Sequence, residues 1–493
     1  MSGSLTPYAP PSPPGIGSRA SDALTLGRLV DAQEGITHKL RYGAALNVLV
    51  FGPNGKGKGT RLLMPNLLQM VGASVVVVDP KGELAAVTAP FRRQLGRVVI
   101  INPFGVLTDH PGYEDLRSTG YNPLAALDPN APSFNVQASL LAEALVTVGG
   151  KDPHWDESAR ALVAALIMYV VVEARGLCPP FIIDERRPRP GPVPTMARVR
   201  ELLCQASAEA RRGAEPVGLP ALAIEMAQTR FAGLRNKAAQ FMDWTGEIQS
   251  IASSAKRHTE PFDDPQIADD LARTGFDFRE LKQRPTTVYL ILPPEMMARH
   301  SKWLRLVLTS AIQGVMRARK PGEPKTLFML DEFFALGHLE IIANNWALVR
   351  GYGVQLMPVL QDMNQLKKLY SDMWETFIGQ AGAVACFAPN DLTTAEWMSR
   401  RAGETTKVVG TYNTGSSEST GGPGGGNKSS SYGYSSSQQK VPLITPHKLI
   451  GLPPGYMMLT LDGVSDVIPS YAPPYYDIFE CYQRARKNPY YNG

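Results

Sequence analysis

Cysteine is scarce: Cys178, Cys204, Cys386 and Cys481 are the only four in 493 residues, widely scattered. No CxxC pair and no Cys/His spacing occurs, which argues against zinc ribbons and dense disulfide frameworks and fits a reducing compartment. Long hydrophobic runs are missing as well. The longest, Ala161–Val172, lies between Arg160 and Glu173 and falls short of the ~20 residues a membrane span needs. The first thirty residues have no basic segment followed by an apolar one, so they do not read as a secretory signal. A strong charge of one sign is also lacking. Fifty basic against forty-five acidic residues leaves +5, too weak a bias to establish nucleic-acid binding. Basic residues interleaved with aromatics, the mark of a stacking platform for single strands, are not evident. Arg230, Arg235, Lys237 and Lys256-Arg257 read as solvated helix faces. No internal repeat is seen.

What is present is material for a large core: 44% of residues are hydrophobic and 19% charged, which excludes wholesale disorder. The runs Asn47–Phe51, Ser74–Val78 and Arg97–Ile101 are short, apolar and rich in β-branched residues. Such runs fit strands covered on both faces, as in parallel sheets. Gly59–Met70 is long enough for a crossover helix. Strand-like runs return at Thr287–Leu292, Lys325–Leu330, Val354–Leu360 and Ala383–Ala388. Between the two sets, Val136–Val148, Asp156–Arg175, Met196–Arg211 and Leu222–Ser254 have helical spacing, interrupted by a Pro-rich connector at 179–194.

The expected fold is therefore α/β, a mainly parallel sheet interrupted by an all-α insertion. The expected segments are a Pro/Gly/Ser-rich arm and lead-in at 1–44, with five prolines and no charge in 1–18. A nucleotide-binding domain follows in two pieces, 45–131 and 277–409, around the all-α insertion at 132–276. Residues 410–440 read as a flexible Gly/Ser-rich loop, and 441–493 as a return to the core and a tail.

The strongest local signal is Gly52-Pro53-Asn54-Gly55-Lys56-Gly57-Lys58-Gly59-Thr60, which matches G-x-x-x-x-G-K between a strand and a helix. Glycines let backbone amides curl around a phosphate, the helix presents its positive end, and the lysine reaches the β/γ-phosphates. Gly59 stands where a Ser or Thr hydroxyl ordinarily meets Mg²⁺, and Thr60 falls nearer an α-phosphate. The ion then relies on a distant carboxylate, phosphate oxygens and water. Asp331-Glu332 supplies that carboxylate directly after the run Thr326–Leu330, a Walker B arrangement. In this reading Asp331 holds magnesium, directly or through water, and Glu332 polarises the attacking water. Gln361 ends the run Val354–Leu360, where it senses the γ-phosphate or orients the water. Arg350, just before that run, reaches a neighbouring subunit's nucleotide, its bland alternative being a surface ion pair.

With these motifs in hand, the chain resembles the conjugative coupling proteins, the TraG-type ATPases of type IV secretion systems. The resemblance covers roughly residues 45–475. It rests on Gly52–Thr60, Asp79-Pro-Lys-Gly-Glu-Leu84, Asn102-Pro-Phe104, Tyr121-Asn-Pro-Leu124, His154-Trp-Asp156 with Ala159-Arg160, Leu330-Asp-Glu-Phe333, Arg350-Gly-Tyr-Gly353 and Leu360-Gln361. It implies a RecA-like motor using ATP and Mg²⁺, with Lys58, Asp331, Glu332, Arg350 and Gln361 as Walker, arginine-finger and sensor residues. It also implies a hexameric ring that feeds relaxase-bound single-stranded DNA, or protein, to the secretion channel. An FtsK-like or packaging-type translocase and a nucleotide-gated adaptor are the alternatives. Family members begin with membrane-spanning helices, whereas here Gly52 follows a Pro-rich arm. The expectation is a truncated start, or a bacterial cytoplasmic protein brought to the inner membrane by partners.

Overall fold

The computed structural model describes residues 22–31, 33–149, 153–178, 192–206, 211–212, 215–216, 218–243, 245–318, 323–419 and 427–491. The Pro-rich arm at 1–18 and all of the connector but its last residues lie outside them.

The strands are β1 Leu24–Asp31, β2 Gly35–Tyr42, β3 Val48–Phe51, β4 Ser74–Val78, β5 Arg97–Ile101, β6 Arg211–Arg212, β7 Glu215–Pro216 and β8 Thr286–Leu290. They continue as β9 Thr326–Leu330, β10 Val354–Leu360, β11 Ala383–Phe387, β12 Glu404–Ser419, β13 Asn427–Pro442, β14 Tyr456–Leu461 and β15 Ile468–Tyr471. Eleven of them form one sheet in the order β2-β1-β15-β14-β11-β3-β10-β9-β4-β8-β5. From β11 to β5 every neighbouring pair is parallel, and from β2 to β11 every pair is antiparallel.

The helices needed below are α1 Met64–Gln69, entered through a π turn at Gly59–Leu63, and α2 Glu83–Leu95. Then come α3 Phe134–Leu145, α4 His154–Ala174, α5 Met196–Ala206, α6 Leu219–Ala227, α7 Ala232–Ala238, α8 Gly246–Thr259, α9 Pro265–Asp270 and α10 Pro294–Arg317.

Alternate residues of one strand enter different cores. Leu49 and Phe51 of β3 join a cluster with α3, α4 and α10, while Val48 and Val50 join one with α1, α2 and the C-terminal segment. This is why the central strands read as unbroken apolar runs: both faces are roofed. Residues 162–172 of α4 are all buried, so the longest apolar run of the sequence is a helix enclosed by other helices. Two arginines, Arg305 buried and Arg160 half-buried, tie this helical layer to the segment between β9 and β10. Arg305 of α10 donates to the carbonyls of Ala144, Leu336 and His338 at 2.7, 2.7 and 2.6 Å. Arg160 of α4 donates to Val146 O and to Glu340 Oε1, each at 2.8 Å.

Three expectations need correction. The part of 1–44 that is described is not a lead-in but a two-stranded edge, β1 and β2, with Leu24 and Leu26 buried and Asp31 accepting from the Gln33 and Glu34 amides. The stretch Leu222–Ser254 breaks into α6, α7 and α8. Thr245 caps α8 by accepting from the Ile248 amide, and the last helical element of the layer is α9. The described part of 410–440 is not a loop: β12 and β13 pair over sixteen positions in register, Glu404 opposite Pro442 and Ser419 opposite Asn427. At ~3.3 Å per residue the ribbon extends about 50 Å. Its pairing is of backbone and small β-tolerant side chains, with no buried face, so no period-two apolar pattern marks it. Tyr434 lies across Gly410, where a Cβ would sit 2.8 Å from the phenol oxygen, and stacks obliquely on Tyr412 at 5.0 Å.

Candidate nucleotide site

Strand register brings the predicted residues to one sheet edge. Leu360 pairs with Phe51, so Gln361 lies beside Gly52, and the Gly52 amide donates to Leu360 O at 3.0 Å. Val78 pairs with Leu330, so Asp79 lies beside Asp331. The loop that leaves β3 turns through Gly55 and Gly57 at φ 79° and 82°, backbone that L side chains rarely adopt. A Cβ at Gly55 or Gly59 would meet nothing within 4 Å, so the loop forms an open cradle of amides. A Cβ at Gly52, by contrast, would press on Phe387 and Lys58 at 3.0 and 3.3 Å. Thr60 Oγ1 donates back to Gly57 O at 3.4 Å.

The Lys58 ammonium is folded on its own loop, donating to Gly52 O and, at 3.3 Å, to Pro53 O. Burial holds its pKa down, and the charges of Asp331 and Glu332 act in the opposite direction. Burial pushes the Asp331 carboxyl up to about 6; Lys58 opposes that shift and Glu332 adds to it. Glu332 has φ 52°, left-handed backbone for a non-glycine residue, a strain of the kind held at functional sites. Its amide donates to Asp331 Oδ1 at 3.1 Å, and Gln361 Nε2 donates to Glu332 Oε1 at 3.4 Å. Lys58, Asp331, Glu332 and Gln361 therefore meet at one place.

Arg350 does not join them. It is exposed in a short helical turn, Val349–Tyr352, before β10, and Thr326 N donates to Gly353 O at the starts of β9 and β10. Seven strand residues, about 23 Å at ~3.3 Å each, separate that turn from Gln361.

Two contributors were not assigned from sequence. Asp79 is buried, and its Oδ2 accepts from the Ala85 amide at 2.8 Å, which pins the start of α2. Burial raises its carboxyl to about 7; the amides of Ala85 and Leu84 work against this and Asp331 works with it. Asp79 follows Ser74–Val78 just as Asp331 follows Thr326–Leu330, so the same strand-end signal marks both. The second contributor is the C-terminal segment. Tyr490 donates to Lys81 O, Asn488 to Glu83 Oε1 and Arg486 Nε to Ala86 O, each at 2.7 Å. It closes one side of a cleft of about 1690 Å³ whose other walls are the glycine loop, Asp79–Leu84 and Asp331-Glu332. Some 400 residues separate these partners in sequence, and no local pattern pairs them.

The donor set suits a hard divalent cation: carboxylates from two adjacent strand ends open onto the cleft. Among the described residues no cluster of three or more His, Cys, Asp or Glu side chains forms a ready-made metal site. An ion here would share its shell with phosphate and water.

Residues 25–482 match the family described as type IV secretory system conjugative DNA transfer. The chain belongs to that family. Among its relatives, a conjugal transfer protein TraG from Escherichia coli is 28% identical over 393 residues, covering 75% of this chain and 56% of that protein. The protein VirD4 of Agrobacterium fabrum is 27% identical over 382 residues, covering 74% of this chain and 51% of that protein. The chain thus spans little more than half the length of these relatives. The fold is that of the conjugative coupling protein TrwB, a RecA-like α/β arrangement. One TrwB structure aligns at TM-score 0.59 with 14% identity over 88% of this chain and 86% of that one. Another, solved with ADP and Mg²⁺, aligns at TM-score 0.56 with 16% identity over 87% and 85%. Among the described residues no helix is long and apolar enough to cross a membrane.

Proposed function

We propose that this chain is an ATP-hydrolysing coupling protein that recruits relaxase-bound single-stranded DNA, or a protein substrate, and feeds it to a type IV secretion channel. The observation that carries the reading is the meeting of Lys58, Asp331, Glu332 and Gln361 over an open glycine cradle, in a chain of the conjugative DNA transfer family. TrwB's structure with ADP and Mg²⁺ supports the choice of ligand. The domain reading is a nucleotide-binding domain of two segments, 45–131 and 277–409, around an insertion at 132–276. That insertion is helical but not all-α, since the two-residue strands β6 and β7 pair within it.

In this mechanism the amides of Asn54–Thr60 surround the phosphates, and Lys58 leaves its loop carbonyls to meet the β/γ-oxygens. Magnesium, held by Asp331 through direct or water contact, would neutralise phosphate charge. Glu332 accepts a proton from the attacking water, and Gln361, hydrogen-bonded to Glu332, fixes the carboxylate that receives it. Arg350 is too far from its own cleft to act there, so it serves the nucleotide of the next subunit in a ring, taken as hexameric. Recruitment to the cytoplasmic face of the inner membrane is through partners.

The test is Lys58→Ala, with ATP turnover, thermal unfolding and salt-dependent single-stranded DNA binding measured together. Expected are a folded protein with most turnover lost and DNA affinity that falls with salt in both forms. Undiminished turnover in the folded variant would sink the P-loop assignment. Turnover that never responds to DNA would favour a protein-only coupler.

A further inference from the structure

The cleft, about 1690 Å³, has far more room than a triphosphate fills, and the chain orders its walls. Lys58 marks the β/γ end, and Thr60, two residues on, the α-phosphate end. Next comes Arg61, whose guanidinium donates to Ala472 O at 2.9 Å. Gly455 is packed on the same guanidinium, and a Cβ there would come within 2.5 Å of it. Arg61 thus ties the phosphate loop to the segment after Ala472, from which Tyr475 and Tyr476, with Pro454, line the cleft.

Two aromatic residues follow Ala472 in a short helical turn, Tyr475–Asp477. Both line the cleft, but Tyr475 is buried, 7% exposed, whereas Tyr476 is 53% exposed. Their rings meet edge to face at 5.3 Å and 73°, so the buried ring sets the pose of the exposed one. The Arg61–Ala472 bond in turn anchors the segment to the phosphate loop.

We propose that Tyr476 is the platform on which the nucleobase of the bound nucleoside triphosphate stacks, with Tyr475 as its positioning residue. The inference rests on the nucleotide-binding reading above. A phenol ring set beyond the α-phosphate presents a π-face, and stacking on it is tolerant of base identity. ATP and GTP should gain from it alike.

Calorimetric titration of the intact chain with ATP, GTP and inorganic tripolyphosphate separates the possibilities. Tyr476→Ala should weaken ATP and GTP about tenfold each, within the range for loss of one stacking ring, and leave tripolyphosphate affinity unchanged. Tyr476→Phe should keep wild-type affinities, since the ring and not the hydroxyl is used. Equal weakening toward tripolyphosphate would reveal a structural role and overturn the proposal, as would unchanged ATP affinity in Tyr476→Ala. Tyr482, 65% exposed on the same cleft, is the internal control. A tenfold loss in Tyr482→Ala with none in Tyr476→Ala overturns the assignment to Tyr476. If the wild type bound neither ATP nor tripolyphosphate, the nucleotide site itself would fall. That result is distinct from a site that binds ATP without using Tyr476.

Discussion

At the carboxyl ends of β3, β4, β9 and β10 the chain concentrates a glycine cradle, a half-buried lysine, two raised carboxyls and a strained glutamate. At the amino ends of β9 and β10 it places Arg350, exposed and without an ion pair among the described residues. The same strands thus carry the clustered acids and lysine of the cleft at one end. At the other, Lys282 is paired with Glu323, Lys325 donates to Gly43 O, and Arg350 points outward with no ion pair among the described residues. A cation with no ion-pair partner among the described residues of its own chain is best tested in an assembly. The difference separates the residues that meet in one cleft from the one residue whose proposed role needs a second copy of the chain.

The sharpest way to break that comparison is Arg350→Ala. A trans finger contributes ~10³–10⁵ in rate, so turnover should collapse while ATP affinity of the isolated chain stays unchanged. Titrating this variant into Glu332→Gln should restore part of the activity, because some interfaces then hold one intact acid set and one intact finger. No recovery in confirmed mixed oligomers would return Arg350 to a surface role.

Next in size is Glu332→Gln alone. It keeps the hydrogen bond from Gln361 but removes basicity, so turnover should fall ~10²–10⁴ with nucleotide binding retained. Loss of binding with unchanged turnover per bound nucleotide would refute the assignment.

A smaller effect tests the electrostatics of the crowded edge. Asp79 has a folded pKa of about 7 against an ordinary value of 3.8. The folded state therefore holds its proton more tightly, and stability falls as pH rises between those values, the cost being complete above 7. Asp79→Asn should remove on the order of 3 kcal/mol of that slope, read as the difference in unfolding free energy between pH 4 and pH 7. Identical slopes in both proteins would show that Asp79 is not the titrating group.

The smallest effect concerns the ribbon. Replacing 406–440 by a tight turn removes pairs that β12 and β13 make only with each other, so core stability should change by no more than about 1 kcal/mol. A larger drop in chemical denaturation would mean that the ribbon braces the sheet.

These regions also differ in how plainly the sequence announces them. Ser74–Val78, Thr326–Leu330 and Val354–Leu360 are buried along their whole length, so burial wrote itself into four or five consecutive apolar residues in each. The acids and glutamine follow each run at once, and the chemistry is local. The ribbon has the opposite physics: Tyr412 and Tyr432 are 81% and 83% exposed, and its order comes from backbone pairing that Ser, Gly and Thr neither signal nor prevent. The edge strands β1 and β2 were equally hidden, because little beyond Leu24 and Leu26 of β1 is buried. The tail's grip on Lys81 and Glu83 is long-range hydrogen bonding, which leaves no periodicity.

Arg305 sets how the helical layer can answer events at the acids. One planar guanidinium holds the last turn of α3 through Ala144 and the chain just beyond Glu332 through Leu336 and His338. Burial lowers its pKa only to about 10, so it stays charged at neutral pH. Sliding one side past the other would strand buried carbonyls at about 1–3 kcal/mol each, around a fork whose donors cannot rearrange. The joint is a stiff coupling, not a spring. Through that one guanidinium the chain after Glu332 and the last turn of α3 are held to each other.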